Sequence, residues 1–257
     1  MTRREPRYRA WDDYLIPGTS VLRNMFVGPG KPYGETDQTM LTKLEEQRTR
    51  LRLVQLHSAP VSGLLDYDHM KAIHRHVFQD VYEWAGEERT APDGWMVKDG
   101  HRYYPAGPAL TAAAEAEYAK IAEADRLRGM DRHQFVAELA ERWGELNVIH
   151  SFREGNTRTQ FAFFTQLCAE AGYRLGADAF RPRGPLRDAF VQARFHSQDT
   201  GSNAELASVL DEAITVVPDR PGSNVTPRGA AHLRMVEAPP QPSRPLSQDG
   251  QTSARDV

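Results

Sequence analysis

The chain has 257 residues, 40% of them hydrophobic, with a formal charge of −3 at neutral pH. That leaves room for one medium domain with additions, or two small ones, and it excludes the basic excess on which nucleic-acid binding depends. A single cysteine, Cys168, rules out a disulfide framework and a cysteine-built zinc site and suits a reducing compartment.

The N-terminal MTRREPRYRAW is charged with no apolar stretch behind it, so it does not read as a signal peptide. No apolar run approaches the ~18 residues that cross a bilayer. The expectation is a cytoplasmic protein without membrane or direct nucleic-acid contact. Residues 1–36, with Pro17-Gly18 and Gly28-Pro29-Gly30, read as an irregular arm. Asp37 can cap a first helix with Met40, Leu41, Leu44, Leu51 and Val54 as its apolar positions. Asp66 or Asp68 opens a second, with Met70, Ile73, Val77, Phe78, Val81 and Tyr82 on one side and Gly86 suited to its C-terminal cap. Between Thr90 and Tyr104 the pattern changes: Trp95-Met96-Val97 and His101-Arg102-Tyr103-Tyr104 flank Lys98-Asp99-Gly100, and Asp-Gly between β-favouring residues signals a hairpin. A lone hairpin is marginal and must lean on helices or await a partner strand. Pro108 starts a third helix, Asp131 caps a fourth, and a fifth runs from about Asn156 to Ala171 before Gly172. Two more follow near Leu186–Phe195 and Asn203–Thr215. Residues 217–257, rich in Pro, Ser, Gly and Gln, bury too little to offset their ordering entropy and read as a disordered tail. The fold class is therefore all-α with one β-hairpin, the main domain spanning 37–216.

Chemistry concentrates in the loop between the fourth and fifth helices, His150-Ser151-Phe152-Arg153-Glu154-Gly155-Asn156-Thr157-Arg158. A glycine-bearing loop that feeds a helix N-terminus gathers unpaired backbone N–H groups, a site suited to phosphate. Glu154 offers a carboxylate to Mg²⁺ bridging phosphate oxygens. Arg158, in the first turn, opposes the helix dipole, which phosphate binding would explain. His150 can serve as a general base, and Phe152 plugs into the core. Singly, each has a plainer reading: a helix-end His as a cap, a lone Glu as a solvated charge, Gly-Asn as a turn. Spacing alone gives a generic phosphate site. His74 and His76 do not share a helix face and make no metal site. Arg194-Phe195-His196 reads as structural or surface.

The stretch HSFREGNTRTQ closely resembles the Fic signature: His, any, Phe, any, acidic, Gly, Asn, Gly or Lys, Arg, two of any type, Arg. LDYDHMKAIHRHVFQDVYEWAGEERT resembles the helix before the family's flap, WMVKDGHRYYP falls at the flap hairpin, and FTQLCAEAGYRL continues the likeness, which covers roughly residues 37–216. The resemblance implies a mainly helical Fic fold and a protein adenylyltransferase that moves AMP from ATP, with Mg²⁺, onto a Tyr, Thr or Ser hydroxyl. It implies His150 as the base, Phe152 as loop anchor, Glu154 as metal ligand, and Gly155, Asn156, Thr157 and Arg158 as nucleotide contacts, with the Asn156 side chain near the α-phosphate. Met96, Val97 and Lys98 would form the flap edge that docks the target by strand addition. A toxin-like role implies the ATPase subunits of DNA gyrase and topoisomerase as targets. No inhibitory helix of the pattern Ser/Thr, three of any type, Glu, then Gly or Asn is present, Thr42-Lys43-Leu44-Glu45-Glu46-Gln47 coming nearest, which implies a separate small antitoxin.

Two residues depart from the pattern. Thr157 stands where Gly or Lys is usual, and a β-branched residue resists φ > 0. Phe161 stands where the family's final Arg would grip the γ-phosphate, and its spacing to Phe164 and Cys168 reads as core. The alternatives are phosphoryl transfer of the Doc kind, or a binding module that docks partners without modifying them.

Overall fold

A computed structural model describes residues 8–91, 96–98 and 100–217. Residues 218–257, which the sequence reading assigns to a tail, lie outside the described residues, as do Trp95 and Asp99 of the expected hairpin. Seven helices occur among the described residues: α1 Gln38–Ser58, α2 Tyr67–Phe78, α3 Pro108–Glu123, α4 Arg132–Ile149, α5 Asn156–Glu170, α6 Arg187–Thr200 and α7 Ala204–Ala213. Strands β1 (Met96–Lys98) and β2 (His101–Tyr103) pair antiparallel with Lys98 opposite His101, and Gly100 takes φ +81° between them. The mainly helical class with a hairpin beside the loop is as expected. None of the helices is long and apolar enough to cross a membrane.

Helix starts follow local capping chemistry. Asp37, Asp66 and Asp131 each accept a hydrogen bond from the backbone N–H three residues on, at 2.7, 2.8 and 2.9 Å, satisfying an otherwise orphan donor. Pro108 opens α3. One boundary differs: α2 stops at Phe78, and Gly86 lies eight residues beyond. Its φ of +84° lets the chain turn back along α2, where its N–H donates to His74 Nδ1 at 2.7 Å and an added Cβ would lie 2.7 Å from Arg75 Cβ. The residues between fold inward as turns that bury Val81, Tyr82 and Trp84.

A second two-stranded sheet, absent from the sequence reading, pairs β3 (Tyr173–Leu175) with β4 (Ile214–Val216) in antiparallel register. The last helix ends at Ala213 rather than Thr215, because Ile214 turns extended to bury its side chain and bond to β3. Residues 8–36, read from the sequence as part of an irregular arm, hold one short 3-10 helix, Trp11–Tyr14, and two isolated bridges, Leu15–Leu22 and Gly28–Lys31. Tyr14 is buried, its ring edge-on to Trp84 at 5.7 Å, so this segment contributes to the core. The main core gathers Ile73, Phe78, Phe135, Trp143, Phe163 and Phe164 from α2, α4 and α5. The first helix joins it least. Met40, Leu51 and Val54, expected as its apolar positions, are exposed, and only Leu41, Thr49 and Leu56 are buried. Polar contacts hold α1 instead, among them the two-pronged Arg52–Asp80 pair at 2.7 and 2.8 Å.

Candidate active site

The loop begins where α4 ends. His150 caps α4 with φ 51° and ψ 60°, a left-handed conformation that costs a non-glycine residue on the order of 1 kcal/mol. Arg89 holds it there. Almost fully buried, Arg89 donates through Nε to the His150 carbonyl at 2.7 Å and through Nη2 to the Tyr104 carbonyl at 2.5 Å, while its backbone N–H reaches the Ser151 carbonyl at 2.9 Å. A cation at a helix C-terminus complements the dipole and satisfies orphan carbonyls. Burial pulls its pKa down to about 10, still charged at neutral pH. The His150 ring lies tilted on Tyr103 of β2, centroids 4.4 Å apart.

Phe152 is buried and stacks on His74 at 3.9 Å. The Asn156 side chain closes the loop, accepting from the Phe152 N–H at 2.9 Å and donating to the Phe152 carbonyl at 2.7 Å. Both of its polar atoms thus bond within the loop. Glu154 Oε1 accepts the Gly155 N–H at 2.9 Å, and the Glu154 carbonyl accepts from His74 Nε2 at 3.0 Å. Gly155 (φ +82°) precedes α5 so close to Phe78 that a Cβ would come within 2.2 Å of the ring. Thr157 keeps a helical, negative φ as the second residue of α5, so no left-handed strain arises from its β-branch. Its Oγ1 accepts from Arg194 Nη1 at 3.1 Å.

Arg158 has structural partners that the dipole argument did not foresee. It donates to Glu45 of α1 in a short ion pair, to Thr49 Oγ1 at 3.2 Å, and lies over the Phe78 ring at 4.7 Å; Glu154 is 3.8 Å away. Glu45 also accepts the Tyr82 hydroxyl. His150, Glu154, Gly155, Asn156, Thr157 and Arg158 together line one open cleft. Of the expected flap residues, Val97 is exposed and Met96 is buried; the Lys98 side chain lies outside the described residues. Phe161 packs against Trp143, Phe180 and Phe190 at 4.9–5.1 Å between centroids, in keeping with its core reading. Sequence reasoning missed His74, Arg89, Glu45 and Arg194 as supports of the loop. Each reaches it from more than 30 residues away, and no local pattern signals such a contact.

Among the cleft's lining residues the carboxylate is Glu154, and among the described residues no group of three or more His, Cys, Asp or Glu could cage a metal. One carboxylate beside a phosphate site suits Mg²⁺ shared with substrate oxygens and water, not a closed all-protein centre.

A histidine at a helix end, a glycine turn and a helix N-terminus thus meet at one cleft. Comparisons with known proteins place the chain that carries it. The model of the Fic/DOC family matches residues 64–168. A probable protein adenylyltransferase of Sinorhizobium fredii, y4lH, is 37% identical over 190 residues, 73% of this chain and 91% of that protein. The protein adenylyltransferase VbhT of Bartonella schoenbuchensis is 34% identical over 188 residues, a match spanning 73% of this chain and 37% of VbhT. Solved structures share the fold. BepC of Bartonella tribocorum, solved with AMPPNP, has a TM-score of 0.69 at 21% identity over 80% of this chain and 97% of that one. The Fic domain of a Bartonella quintana cell filamentation protein, solved with ADP, has the same score and identity over 80% of this chain and 96% of its own. The chain belongs to the Fic/DOC family.

Proposed function

We propose that this chain transfers AMP from ATP to a hydroxyl side chain of another protein. The observation that carries the reading is the single cleft lined by His150, Glu154, Gly155, Asn156, Thr157 and Arg158 in a Fic/DOC chain. The names of the relatives, protein adenylyltransferases at 34% and 37% identity, agree with it.

The free N–H groups at the start of α5 and the Arg158 guanidinium receive phosphate oxygens. Glu154 would hold Mg²⁺, which supplies neutralisation of phosphate charge. The His150 imidazole takes the proton of the target hydroxyl as that oxygen bonds to the α-phosphorus. The bond from the α-phosphorus to the oxygen bridging to the β-phosphate breaks, and pyrophosphate leaves with the electron pair. Loop rigidity, set by Phe152, Asn156 and His74, supplies the positioning. The exposed edge around Val97 would present the target segment by strand addition. A toxin-like role, with gyrase or topoisomerase ATPase subunits as targets and a separate small antitoxin, belongs to the same proposal, as does a cytoplasmic setting.

A second reading, a module that binds partners without modifying them, is favoured by one feature: Arg158 is already paired with Glu45. Incubating the purified protein with a bacterial lysate and α-labelled or γ-labelled ATP separates the possibilities. Label from the α-position alone, lost in His150→Ala, supports AMP transfer. Label from the γ-position indicates phosphoryl transfer, and none from either favours the binding module.

A further inference from the structure

Arg158 is not the sole arginine at the start of α5. Arg194 reaches it from α6, where Nη1 donates to Thr157 Oγ1 at 3.1 Å and the guanidinium lies 5.2 Å from the Phe190 ring centroid. Among the described residues no carboxylate pairs with it, and its Nε is buried without a hydrogen-bond partner. Burial accordingly holds its pKa below the usual arginine value. A guanidinium with a buried, unpartnered Nε and one neutral hydroxyl for a partner is under-compensated, and core packing alone does not call for a cation at this place. Its surroundings do point to an anion. Thr157 lines the cleft and belongs to the first turn of α5, whose leading amides lack helical acceptors. Four residues on, on the same face of α5, Phe161 is committed to the Trp143–Phe180–Phe190 cluster, so α5 places no cation there. Arg158, one position away, is countered by Glu45.

We infer that Arg194 binds the phosphates beyond the α-phosphate of the nucleotide held in this loop, and so sets preference for a triphosphate over a monophosphate. The inference rests on the nucleotide reading above. A planar guanidinium hydrogen-bonds two phosphate oxygens in fork geometry, and Thr157 holds it oriented beforehand. As the side chain reaches the loop from a different helix, the contact would also couple α6 to nucleotide occupancy.

Calorimetry on the full chain with ATP and with AMP tests this, comparing wild type, Arg194→Gln and Arg194→Lys. Arg194→Gln, which removes the guanidinium and its charge, is expected to weaken ATP binding about tenfold or more, the worth of a charge-assisted hydrogen bond, while AMP affinity stays within about twofold. Lysine should restore part of the loss. Equal weakening for both nucleotides would make Arg194 a structural support and overturn the inference; so would unchanged ATP affinity, with the nucleotide reading intact. A wild type that binds neither nucleotide at millimolar concentration removes the nucleotide reading and this inference together. A second measurement avoids any folding defect in the variants: phenylglyoxal labelling of wild type read by peptide mass spectrometry. ATP should protect Arg194 and AMP should not; equal labelling with and without ATP overturns the assignment.

Discussion

At His74 the fold buries an imidazole completely, and desolvation lowers its pKa from 6.5 to about 3. Its Nδ1 accepts the Gly86 N–H and its Nε2–H donates to the Glu154 carbonyl, so one neutral tautomer is fixed. Because the unfolded chain binds this proton more readily, stability is fully present above pH 6.5. It falls as pH drops toward 3, by up to about 1.4 kcal/mol per pH unit. Urea midpoints measured between pH 7 and pH 5 should therefore decline, and His74→Gln should remove part of that slope while lowering stability at pH 7 by ~1–3 kcal/mol for the unsatisfied groups it leaves. An unchanged slope would show that His74 does not titrate in this window. At Gly155 the sequence was legible: only glycine fits φ +82° with a ring 2.2 Å from where Cβ would be. Gly155→Ala should cost ~2–4 kcal/mol from conformation and overpacking together, read as a shift in chemical-denaturation midpoint. His74 was illegible as a support, because its partner is 80 residues away.

Elements were legible where their signals are local. Asp37, Asp66, Asp131 and Pro108 mark helix starts because a cap needs only three or four successive residues. Sheet β3–β4 was not legible, since its strands are three residues each and lie about 40 residues apart. The role of α1 was misjudged for a related reason. Its apolar residues suggested a buried stripe, yet what ties it to the site is the acid Glu45, held between Arg158 and Tyr82. Glu45→Gln keeps the hydrogen-bonding shape and removes a negative charge beside the cleft. ATP affinity should rise severalfold, while the melting temperature falls by a few degrees for the lost pair. If ATP affinity falls instead, Glu45 aims Arg158 toward phosphate rather than restraining it. The hairpin leans on α6, as a marginal element must: His101 stacks on Phe195 at 4.0 Å and bonds Asp199 at 2.9 Å, and Gln198 donates to the Arg102 carbonyl. Phe195→Ala should speed amide exchange in residues 100–104 with little change in α4 and α5; uniform acceleration would mean that α6 supports the whole core.

At the scale of the whole molecule, the C-terminal boundary of the domain follows from the second sheet. The composition change near residue 217 suggested where folding stops, but composition does not reveal that the last described residues form a strand. Ile214 is buried against the core, Leu175 pairs with it across β3 and β4, and the Val217 N–H donates to the Gly172 carbonyl at 3.0 Å. Two truncations placed four residues apart should therefore behave differently. A chain ending after Val217 keeps every one of these contacts, and its melting temperature should stay within about 2 °C of the full chain, as expected when no docked backbone is removed. A chain ending after Ala213 loses a buried isoleucine, worth ~1.5–3 kcal/mol, together with the ladder that holds β3. At ~2–4 °C per kcal/mol for a domain of this size, it should melt roughly 5–10 °C lower. Differential scanning calorimetry decides between the boundaries. A drop of many degrees in the longer truncation would show that residues beyond 217 dock on the domain, and an unchanged shorter one would show that β4 contributes nothing. ATP binding gives an independent check, because β3–β4 lies at the C-terminal end of α5 while the loop lies at its N-terminus. If α5 transmits no disorder along its 15 residues, the shorter chain should still bind ATP when assayed well below its melting temperature.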